Sequence, residues 1–508
     1  MASVKPLPTE ATVQTASPVD QLQVDTVKLE EVETSHEAIA VRYDVDGDPN
    51  TLRLEYDTID LERAARTSHP HALATYAACL GALGVSRFGA VLPRRVDLTE
   101  HSRWLDPRVV TFLKRALPRK WSEHRYQLGR LDYYHPEIVV DEASLGASAA
   151  TPVWRIPGGR SRRVLLATGS GKDSLLCELM LERAGVDYES FTYLHDLYGD
   201  IDDQREIFAR VPRELAANRQ HVVQVRDDLQ PWLERRMASV GVPNPIQRDG
   251  IAKPFRTEAG EVLVGSLAMV PIQVTRGIGV QAFGNERSAD HPNLVDPDTG
   301  EAIAHQFAKS IYGETLFQRL YERLFANVAR VSLTKPINDT RIFRTLFELG
   351  GDRAYLTNSC NLAKPWCRRC EKCLYVFAGF SAFGDHAATV AAFGGDPFDD
   401  PATLPVWEDL LGLNGRIAWE CVGHPEELAL YLYKAVAAGI DGCAIDMFRA
   451  RVLEPLCASN GTSLDDRFAA VERSYSEVDP SHHRMPAWLS SRVLDVLGAG
   501  PAGRLAHD

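Results

Sequence analysis

Apolar runs alternate with amphipathic stretches through the middle of the chain. The segment RVLLA (Arg163–Ala167) is a short run that is apolar after its arginine, which is typical of a strand buried on both faces. The pattern then predicts helix, strand, helix and strand in turn, over Lys172–Ala184, Ser190–Leu194, Ile201–Arg219 and His221–Val225. Because strands alternate with helices here, the pattern predicts a parallel sheet with right-handed crossovers.

The remaining segments give helices and one hairpin. Helices are expected at 262–275 and 313–328, with a strand at 277–283 between them. Alternating apolar and polar residues around the turn DGDPN predict a hairpin over Val41–Leu61. Further helices are expected at His71–Leu83, Pro107–Leu117, His424–Ala438 and Leu464–Glu477.

These patterns divide the chain into four parts. Residues 1–36 carry two lysines, six acidic residues and no aromatic ring, so we expect a disordered tail there. Residues 37–150 are predicted to form a small α+β domain, 151–384 an α/β core, and 385–508 a mainly helical C-terminal domain. The stretch Ala147–Gly159, rich in Ala, Pro and Gly, is the expected linker after the first domain.

Composition and charge narrow the class of protein. Hydrophobic residues at 45% and charged residues at 25% exclude wholesale disorder. A run of about eighteen apolar residues, enough for a membrane span, does not occur, and the N-terminus lacks a basic start with an apolar core. A cytoplasmic location is therefore expected. The formal charge of −13 argues against non-specific nucleic-acid binding, but it leaves small anionic ligands open.

A glycine loop, TGSGKDS (Thr168–Ser174), stands between the first buried strand of the core and the next helix. In that setting, backbone N–H groups and the helix N-terminus favour a phosphate. The nucleoside-triphosphate P-loop needs Gly and Ser or Thr where this chain has Leu166 and Asp173, so that interpretation is excluded. Two remain: a pyrophosphatase loop of the SGGxDS type, and a plain turn between strand and helix.

On the pyrophosphatase interpretation, Gly169 replaces the usual serine and Ser170 occupies the second position. Lys172 and Ser174 would hold pyrophosphate oxygens, and Asp173 would orient the loop or share a magnesium ion with them. The predicted ATP site consists of Gly169, Ser170, Gly171, Lys172, Asp173 and Ser174.

Four of the nine cysteines form the pattern C-x6-C-x2-C-x2-C, at Cys360, Cys367, Cys370 and Cys373. Four thiolates at this spacing can close a tetrahedron around a structural zinc ion. An iron–sulfur cluster or unmetallated thiols are the alternatives. The other five cysteines are isolated and are interpreted as small buried residues: Cys79, Cys177, Cys421, Cys443 and Cys457.

Two polar segments lie between the glycine loop and the cysteines. The first, GNERSAD, ends at Asp290 and follows a predicted strand, so its side chains should emerge at the carboxyl edge of the sheet, where ligands bind. The second is HQFAKS, in which His305 and Lys309 would share one face if it is helical. The alternative is a solvated loop and helix.

The motifs TGSGKDS, GNERSAD, HQFAKS and WCRRCEKCLYVF occur in this order over residues 160–385. With them the chain resembles the ATP-dependent UDP-N-acetyl-α-muramoyl-L-alanyl-L-glutamate epimerases. The resemblance implies a PP-loop core, similar to the adenine nucleotide alpha hydrolases, and a role in peptidoglycan precursor synthesis. The glycine loop and cysteines by themselves look equally like 7-cyano-7-deazaguanine synthase.

The resemblance also implies a mechanism. The terminal glutamate carboxylate attacks the α-phosphate of ATP, with magnesium as counter-ion, and gives an acyl-adenylate and pyrophosphate. The neighbouring C–H becomes more acidic, a base removes its proton, a proton returns from the other face, and hydrolysis releases AMP.

Candidates for these steps come from the two polar segments. The candidate proton-transfer residues are Lys309, Glu286, His305 and Asp290, and the candidate substrate-binding residues are Asn285, Arg287 and Ser288. Arg160–Arg163 and Arg235–Arg236 could meet the uridine diphosphate or be solvated surface, and His195 with Asp196 could line the nucleotide pocket.

Two further hypotheses remain. A PP-loop ligase or thiolase acting on a nucleobase or tRNA would need a basic face, which the net charge opposes. A zinc-stabilised nucleotide-binding module without chemistry would fit the missing serine at position 169.

Overall fold

The computed structural model describes residues 20–66, 70–156, 161–215, 217, 219–245, 255–260, 262–415, 417–458 and 463–500. Within these ranges the strands are β1 (Thr26–Thr34), β2 (Ala38–Val45), β3 (Asp48–Tyr56), β4 (Arg95–Asp97), β5 (Glu137–Val139), β6 (Trp154–Arg155), β7 (Val164–Ala167), β8 (Tyr188–His195), β9 (Gln220–Asp227), β10 (Val280–Phe283), β11 (Leu294–Val295), β12 (Ala302–Ile303), β13 (Phe325–Ala326) and β14 (Ala329–Ser332).

The α-helices of the described ranges fall before, within and after the strands of the core. They are α1 (Leu61–Arg66), α2 (Ala72–Gly84), α3 (Pro107–Lys120), α4 (Ser122–Gln127), α5 (Lys172–Arg183), α6 (Ile201–Glu214), α7 (Leu229–Ser239), α8 (Val264–Ala268), α9 (Val270–Arg276), α10 (Ile311–Leu324), α11 (Asp339–Gly350), α12 (Glu371–Phe383), α13 (His386–Phe393), α14 (Leu404–Leu410), α15 (Pro425–Ala437), α16 (Cys443–Phe448), α17 (Glu454–Ala458), α18 (Leu464–Ser476) and α19 (Ala487–Val496).

A ten-stranded sheet in the order β14-β10-β7-β8-β9-β3-β2-β1-β4-β5 organises the molecule. The five strands from β14 to β9 are parallel, as the strand–helix alternation predicts. Strand β7 comes first in sequence among the five and lies in their middle. The chain adds β8 and β9 on one side of it and β10 and β14 on the other. The carboxyl ends of β7 and β10 therefore flank a topological switch point, where open α/β sheets bind ligands.

The N-terminal region continues this sheet and is not a separate domain. Strand β3 pairs antiparallel with β9, from Leu52 opposite Asp227 to Tyr56 opposite Val223. One hydrophobic core extends from Leu22 to Val328. The predicted division at residue 150 is therefore not a break in packing, because the hairpin satisfies the backbone groups that β9 would otherwise expose as an edge strand.

Two segments predicted to be loose are packed. In the expected tail of residues 1–36, Thr26–Thr34 forms β1, and Val27 and Leu29 are fully buried, so the prediction is wrong for that part; residues 1–19 lie outside the described ranges. In the expected linker, Trp154 is buried and its strand β6 pairs with β13. Pairing with a neighbouring strand supplies the stability that local composition does not indicate.

The predicted hairpin turn is confirmed, and its last residue lies two positions before the proline of the DGDPN sequence. Asp46 and Gly47 have φ values of 53° and 93° and connect β2 to β3. Positive φ at both central residues is the geometry of the type I′ hairpin turn, which favours Asp-Gly. Pro49 lies inside β3, opposite Asp44.

One helical stretch of the described residues is apolar enough to span a membrane by length and composition. It covers Ala72–Val91, has a mean hydropathy of 1.2, and is 94% buried inside the protein. Its residues pack in the core behind β1 and β2, and Tyr43 of β2 donates a hydrogen bond to the Gly81 carbonyl at 2.7 Å. The stretch is therefore a core element of this fold.

The C-terminal region is helical, as predicted, but it shares a core with the sheet. A second hydrophobic cluster extends from Val164 of β7 to Leu497 after α19. Helix α19 contacts α5, and α18 contacts α11, both helices of the core. The region after residue 384 therefore packs as an outer layer on the α/β core.

Candidate active site

A cavity of about 450 Å³ opens at the carboxyl ends of β7 and β10. Residues from the glycine loop, from the end of β10 and from the HQFAKS segment line it together. Lysines and apolar rings complete the wall, among them Lys364, Lys372, Tyr193 and Phe208. Segments far apart in sequence therefore converge on the switch point of the sheet.

The glycine loop is held in place by the segment that precedes the cysteines. The Ser170 carbonyl accepts a hydrogen bond from the Asn358 amide at 2.7 Å, and the Lys172 amide donates to the Ser359 hydroxyl at 3.3 Å. Ser170 has a φ of 54°, and its buried hydroxyl has no hydrogen-bond partner among the described residues. Gly169 faces open space, so its backbone is accessible to a ligand.

Four residues of the predicted ATP site line the cavity: Gly169, Gly171, Asp173 and Ser174. Ser174 accepts a hydrogen bond from the Gly169 amide at 3.2 Å and so closes the loop on itself. Loop and helix thus present backbone groups and a carboxylate to the cavity, and phosphate binding by this loop stays a prediction.

Lys172 has a different position from the one predicted. Its side chain is 1% exposed and lies beneath the loop, in contact with Asp339 and at 2.6 Å from Asp173. Burial opposes its charge, but the carboxylates of Asp173 and Asp339 keep the Lys172 pKa above its usual value. Burial raises the pKa of Asp339 to about 6. The expectation that Lys172 holds pyrophosphate is corrected: its ammonium group orients Asp173, because Asp339 pairs with it from the start of α11.

The GNERSAD segment meets the glycine loop at its first residue, Gly284. A Cβ atom added to Gly284 would lie 3.0 to 3.1 Å from the Cβ and backbone of Asp173, so a larger residue here would force Asp173 to shift. Asn285 lines the cavity, and its main-chain N–H donates to the Ser332 hydroxyl at 2.8 Å. Of the predicted substrate-binding residues, Asn285 is thus in place to contact a ligand.

The carboxylates of this segment lie outside the cavity wall. Asp290 contacts Lys335 at 3.2 Å and His482 at 2.6 Å. Glu286 is buried, and its carbonyl accepts a hydrogen bond from Lys335 at 2.7 Å. Neither is among the described residues that line the cavity, so the structure does not place them at the reacting centre. The segment turns into a short 3-10 helix after Glu286, which directs later side chains towards the C-terminal region.

Other predicted contacts are also directed away from the cavity. Arg287 lies 3.7 Å from Asp479, and Ser288 is buried. Arg163 pairs with Asp187 at 2.9 Å.

His195 is buried at the end of β8. Burial by itself would lower the pKa of His195, but the carboxylates of Asp196 and Asp227 outweigh this effect and raise the pKa to about 9. Arg160 lies outside the described residues. Arg236 contacts the Gln21 carbonyl at 3.0 Å on the far side of α7.

Both candidate proton-transfer residues of the HQFAKS segment lie at the cavity. It is not an α-helix: Phe307–Lys309 is a single 3-10 turn, and His305 precedes it. Both His305 and Lys309 nevertheless line the cavity. His305 Nδ1 lies 2.5 Å from Glu123 Oε2, and Lys309 Nζ lies 2.9 Å from Cys421 Sγ.

Sequence reasoning did not predict Glu123, Glu420 and Cys421 as residues of this wall, nor Lys364 and Lys372. Donor atoms of His305, Glu420 and Cys421 lie within 4.8 Å of one another, a grouping that could hold a metal ion, although the Lys309 ammonium already supplies a positive charge there. Cys421 and Cys443 are half-buried and Cys457 is exposed, so the interpretation as small core residues is wrong for these three. No local pattern could have found Cys421, because its partner precedes it by 112 residues.

The four predicted metal ligands come together. The Sγ atoms of Cys360, Cys367, Cys370 and Cys373 all lie within 4.8 Å of one another, and those of Cys367 and Cys373 are 3.6 Å apart. Backbone amides donate to the sulfurs of Cys360, Cys367 and Cys370 at 3.3 to 3.4 Å. Zn–S bonds of about 2.3 Å in a tetrahedron separate sulfurs by about 3.8 Å. The four thiols therefore fit a single ion such as zinc better than an iron–sulfur cluster, in which the thiolates bind several irons.

A cavity with converging ionisable groups at the switch point of a mostly parallel sheet is the arrangement of an α/β enzyme. Comparison with known proteins gives the family. A protein-family model described as the MurL C-terminal domain matches residues 351–444. The chain is 30% identical over 360 residues to the UDP-N-acetyl-alpha-D-muramoyl-L-alanyl-L-glutamate epimerase of Salinispora tropica, covering 69% of this chain and 70% of the relative.

Two more relatives with the same description agree. A protein of a Micromonospora species is 28% identical over 69% of this chain and 72% of its own. One from Xanthomonas oryzae pv. oryzae is 26% identical over 81% of this chain and 83% of its own. This chain belongs to the UDP-N-acetyl-alpha-D-muramoyl-L-alanyl-L-glutamate epimerase family, so the resemblance seen in its motifs is confirmed.

Proposed function

We propose that this protein converts the terminal L-glutamate of UDP-N-acetylmuramoyl-L-alanyl-L-glutamate to D-glutamate in the cytoplasm, for peptidoglycan precursor synthesis, with ATP consumed to AMP and pyrophosphate. The relatives carry this substrate in their names. The observation that carries the proposal is the convergence of the TGSGKDS loop, Asn285 and the His305–Lys309 segment on one cavity. The relatives favour this function over a 7-cyano-7-deazaguanine synthase.

ATP would bind with its phosphates at the glycine loop. The accessible backbone of Gly169 and the N-terminus of α5 suit pyrophosphate oxygens. Lys364 and Lys372 line the same cavity and supply positive charge for a leaving group that carries several negative charges. Asp173, held in its charged form by Lys172, is the residue suited to magnesium, which neutralises phosphate charge when bound.

Activation makes the epimerisation chemically reasonable. An oxygen of the glutamate carboxylate attacks the α-phosphorus, the bond to the β-phosphate oxygen breaks, and pyrophosphate leaves. The product is an acyl-adenylate in which the former carboxylate no longer carries a charge, so its α C–H loses its proton far more readily than that of a carboxylate. A base removes this proton, a proton returns to the opposite face, and water cleaves the acyl-phosphate bond to give AMP and the free carboxylate.

The cysteine cluster would have a structural role. Four thiolates leave no open position on a tetrahedral zinc ion, so the ion would not take part in the chemistry. The structural role follows from the position of the cysteines in the chain, because Asn358 and Ser359 directly precede Cys360 and contact the glycine loop. The metal would therefore fix the loop through these two residues.

One incubation tests the proposed function. The protein is supplied with ATP, magnesium and the UDP-muramoyl dipeptide in heavy water, and we expect AMP, pyrophosphate and deuterium at the glutamate α-carbon. Asp173→Ala should abolish pyrophosphate release, whereas Asp202→Asn, at an exposed position of α6, is the matched control. Formation of ADP and phosphate, or pyrophosphate release without label, would contradict the proposal.

A further inference from the structure

Cys421 is the one thiol among the described cavity-lining residues. It lies between α14 and α15, in a part of the chain far from the other motifs of the site. Its Sγ atom is 2.9 Å from Lys309 Nζ, and donor atoms of His305 and Glu420 lie within 4.8 Å of it. The thiol is therefore part of a built group of ionisable side chains that faces a cavity.

The backbone of Cys421 is fixed on both sides. Its amide donates to Glu420 Oε1 at 2.7 Å, and its carbonyl accepts a hydrogen bond from Lys372 Nζ. Glu420 in turn accepts from Asn361 Nδ2 at 3.1 Å. Because these contacts fix the main chain, rotation about the side-chain torsion is the main remaining freedom of Cys421, and the position of its thiol in the cavity is restricted.

The surrounding charges favour the thiolate. Burial works against ionisation, but Lys309 and a hydrogen bond from His305 outweigh it and lower the pKa of Cys421 below that of an ordinary thiol. Glu420 acts in the opposite direction, and Glu123 reaches the group through His305. A lysine beside a thiol is the arrangement that makes cysteine reactive near neutral pH.

We propose that Cys421, as a thiolate paired with Lys309, is the base that removes the glutamate α-proton at one face of the substrate. This assignment rests on the proposed function. It also changes the role expected of Lys309: an ammonium group that stabilises a thiolate has no lone pair to accept a proton, so Lys309 is a positioning residue for Cys421.

The proton step balances without another reagent. The α C–H proton moves to Cys421 Sγ, the C–H electron pair moves into the acyl carbonyl, and the resulting enolate carries the charge. A general acid at the opposite face then returns a proton to the α-carbon, and the Cys421 thiol gives its proton to water, from which the acid is protonated again. The thiolate is restored after each turnover.

The experiment separates activation of the carboxylate from proton transfer. Cys421→Ala and Cys421→Ser are compared with Cys457→Ser, which changes an exposed cysteine. The readouts are AMP formation and deuterium at the α-carbon, measured with the L- and the D-glutamyl substrate in heavy water. We expect both Cys421 variants to keep AMP formation within about threefold and to lose about 100-fold or more in epimerisation, the range of a lost general base.

Epimerisation of Cys421→Ala within about threefold of the parent would overturn the proposal. If the parent itself forms no AMP, the proposed function fails, and that result is distinct from failure of the Cys421 assignment. Alkylation by iodoacetamide, followed on the Cys421 peptide by mass spectrometry, supplies a readout that needs neither turnover nor a substitution of Cys421.

We expect Cys421 of the parent to react faster at pH 7 than Cys421 of Lys309→Met, and its alkylation rate to rise at a lower pH. Equal rates would also overturn the proposal.

Discussion

The main-chain amide of Lys172 donates a hydrogen bond to the hydroxyl of Ser359 at 3.3 Å, which joins residues 187 positions apart. Lys172 begins α5 after the glycine loop, and Ser359 directly precedes the first cysteine of the four-cysteine cluster. The glycine loop and the four-cysteine cluster are therefore mechanically connected, and disturbance of the cluster should reach the loop.

Removal of the cluster metal should lower stability and activity together. A chelator that removes an ion from the four thiolates should lower the melting temperature and AMP formation, and added zinc should restore both, because a bound ion would hold the segment that fixes the loop. Melting temperature and AMP are measured on the same samples. Stripped protein that forms AMP at the original rate would contradict this coupling.

Ser359→Ala should affect the loop without disturbing the fold. The lost hydrogen bond is worth about 1 kcal/mol, so AMP formation should fall about fivefold. Ser491→Ala, at an exposed position of α19, is the control and should match the parent. A Ser359→Ala protein with unchanged AMP kinetics would show that the Asn358 contact is sufficient by itself.

Lys172→Met should destabilise the protein strongly. The lysine is 1% exposed and its partners Asp173 and Asp339 would be left as two adjacent carboxylates without a cation. Breaking a buried ion pair from one side costs about 3–5 kcal/mol in the free energy of unfolding. Urea unfolding measures it, with Lys114→Met, an exposed position of α3, as control. A loss below about 1 kcal/mol would refute this role.

Gly284→Ala should reduce activity through the glycine loop. The new methyl group would meet Asp173 at 3.0 to 3.1 Å, and because part of that contact is backbone, the loop must shift. We expect slower pyrophosphate release in a folded protein, measured beside circular dichroism. In Gly265→Ala the methyl group would meet Tyr193 at an ordinary 3.4 Å, so this control should retain activity. Equal activity of the two variants would contradict the close approach.

Glu178 should make stability fall as pH rises. Burial raises its pKa from 4.5 to about 8, and its carboxylate oxygens have no hydrogen-bond partner among the described residues. Between these values the folded protein binds the proton that the unfolded chain releases, so stability decreases by up to about 1.4 kcal/mol per pH unit. Unfolding of Glu178→Gln between pH 5 and pH 9 should show a shallower decrease, whereas the exposed-site control Glu214→Gln should follow the parent. Parallel curves for Glu178→Gln and the parent would contradict the assignment.

The sequence by itself determined the elements whose cause is local. The RVLLA run gives a buried strand because the four side chains after its arginine are apolar, and Asp46–Gly47 gives the hairpin turn because these residues tolerate positive φ. The cysteine spacing likewise determines that four thiols can meet. The family motifs, read in order, were sufficient to indicate the class of enzyme.

Only the tertiary structure decided which side chains face the cavity and which support it. Asp290 and Glu286 looked catalytic in their motif, but a 3-10 turn and Lys335 hold them outside the cavity wall. Cys421 looked like core, and the fold brings it to Lys309. Such contacts depend on packing between elements distant along the chain, and local periodicity contains no information about the direction of a side chain after the chain has turned.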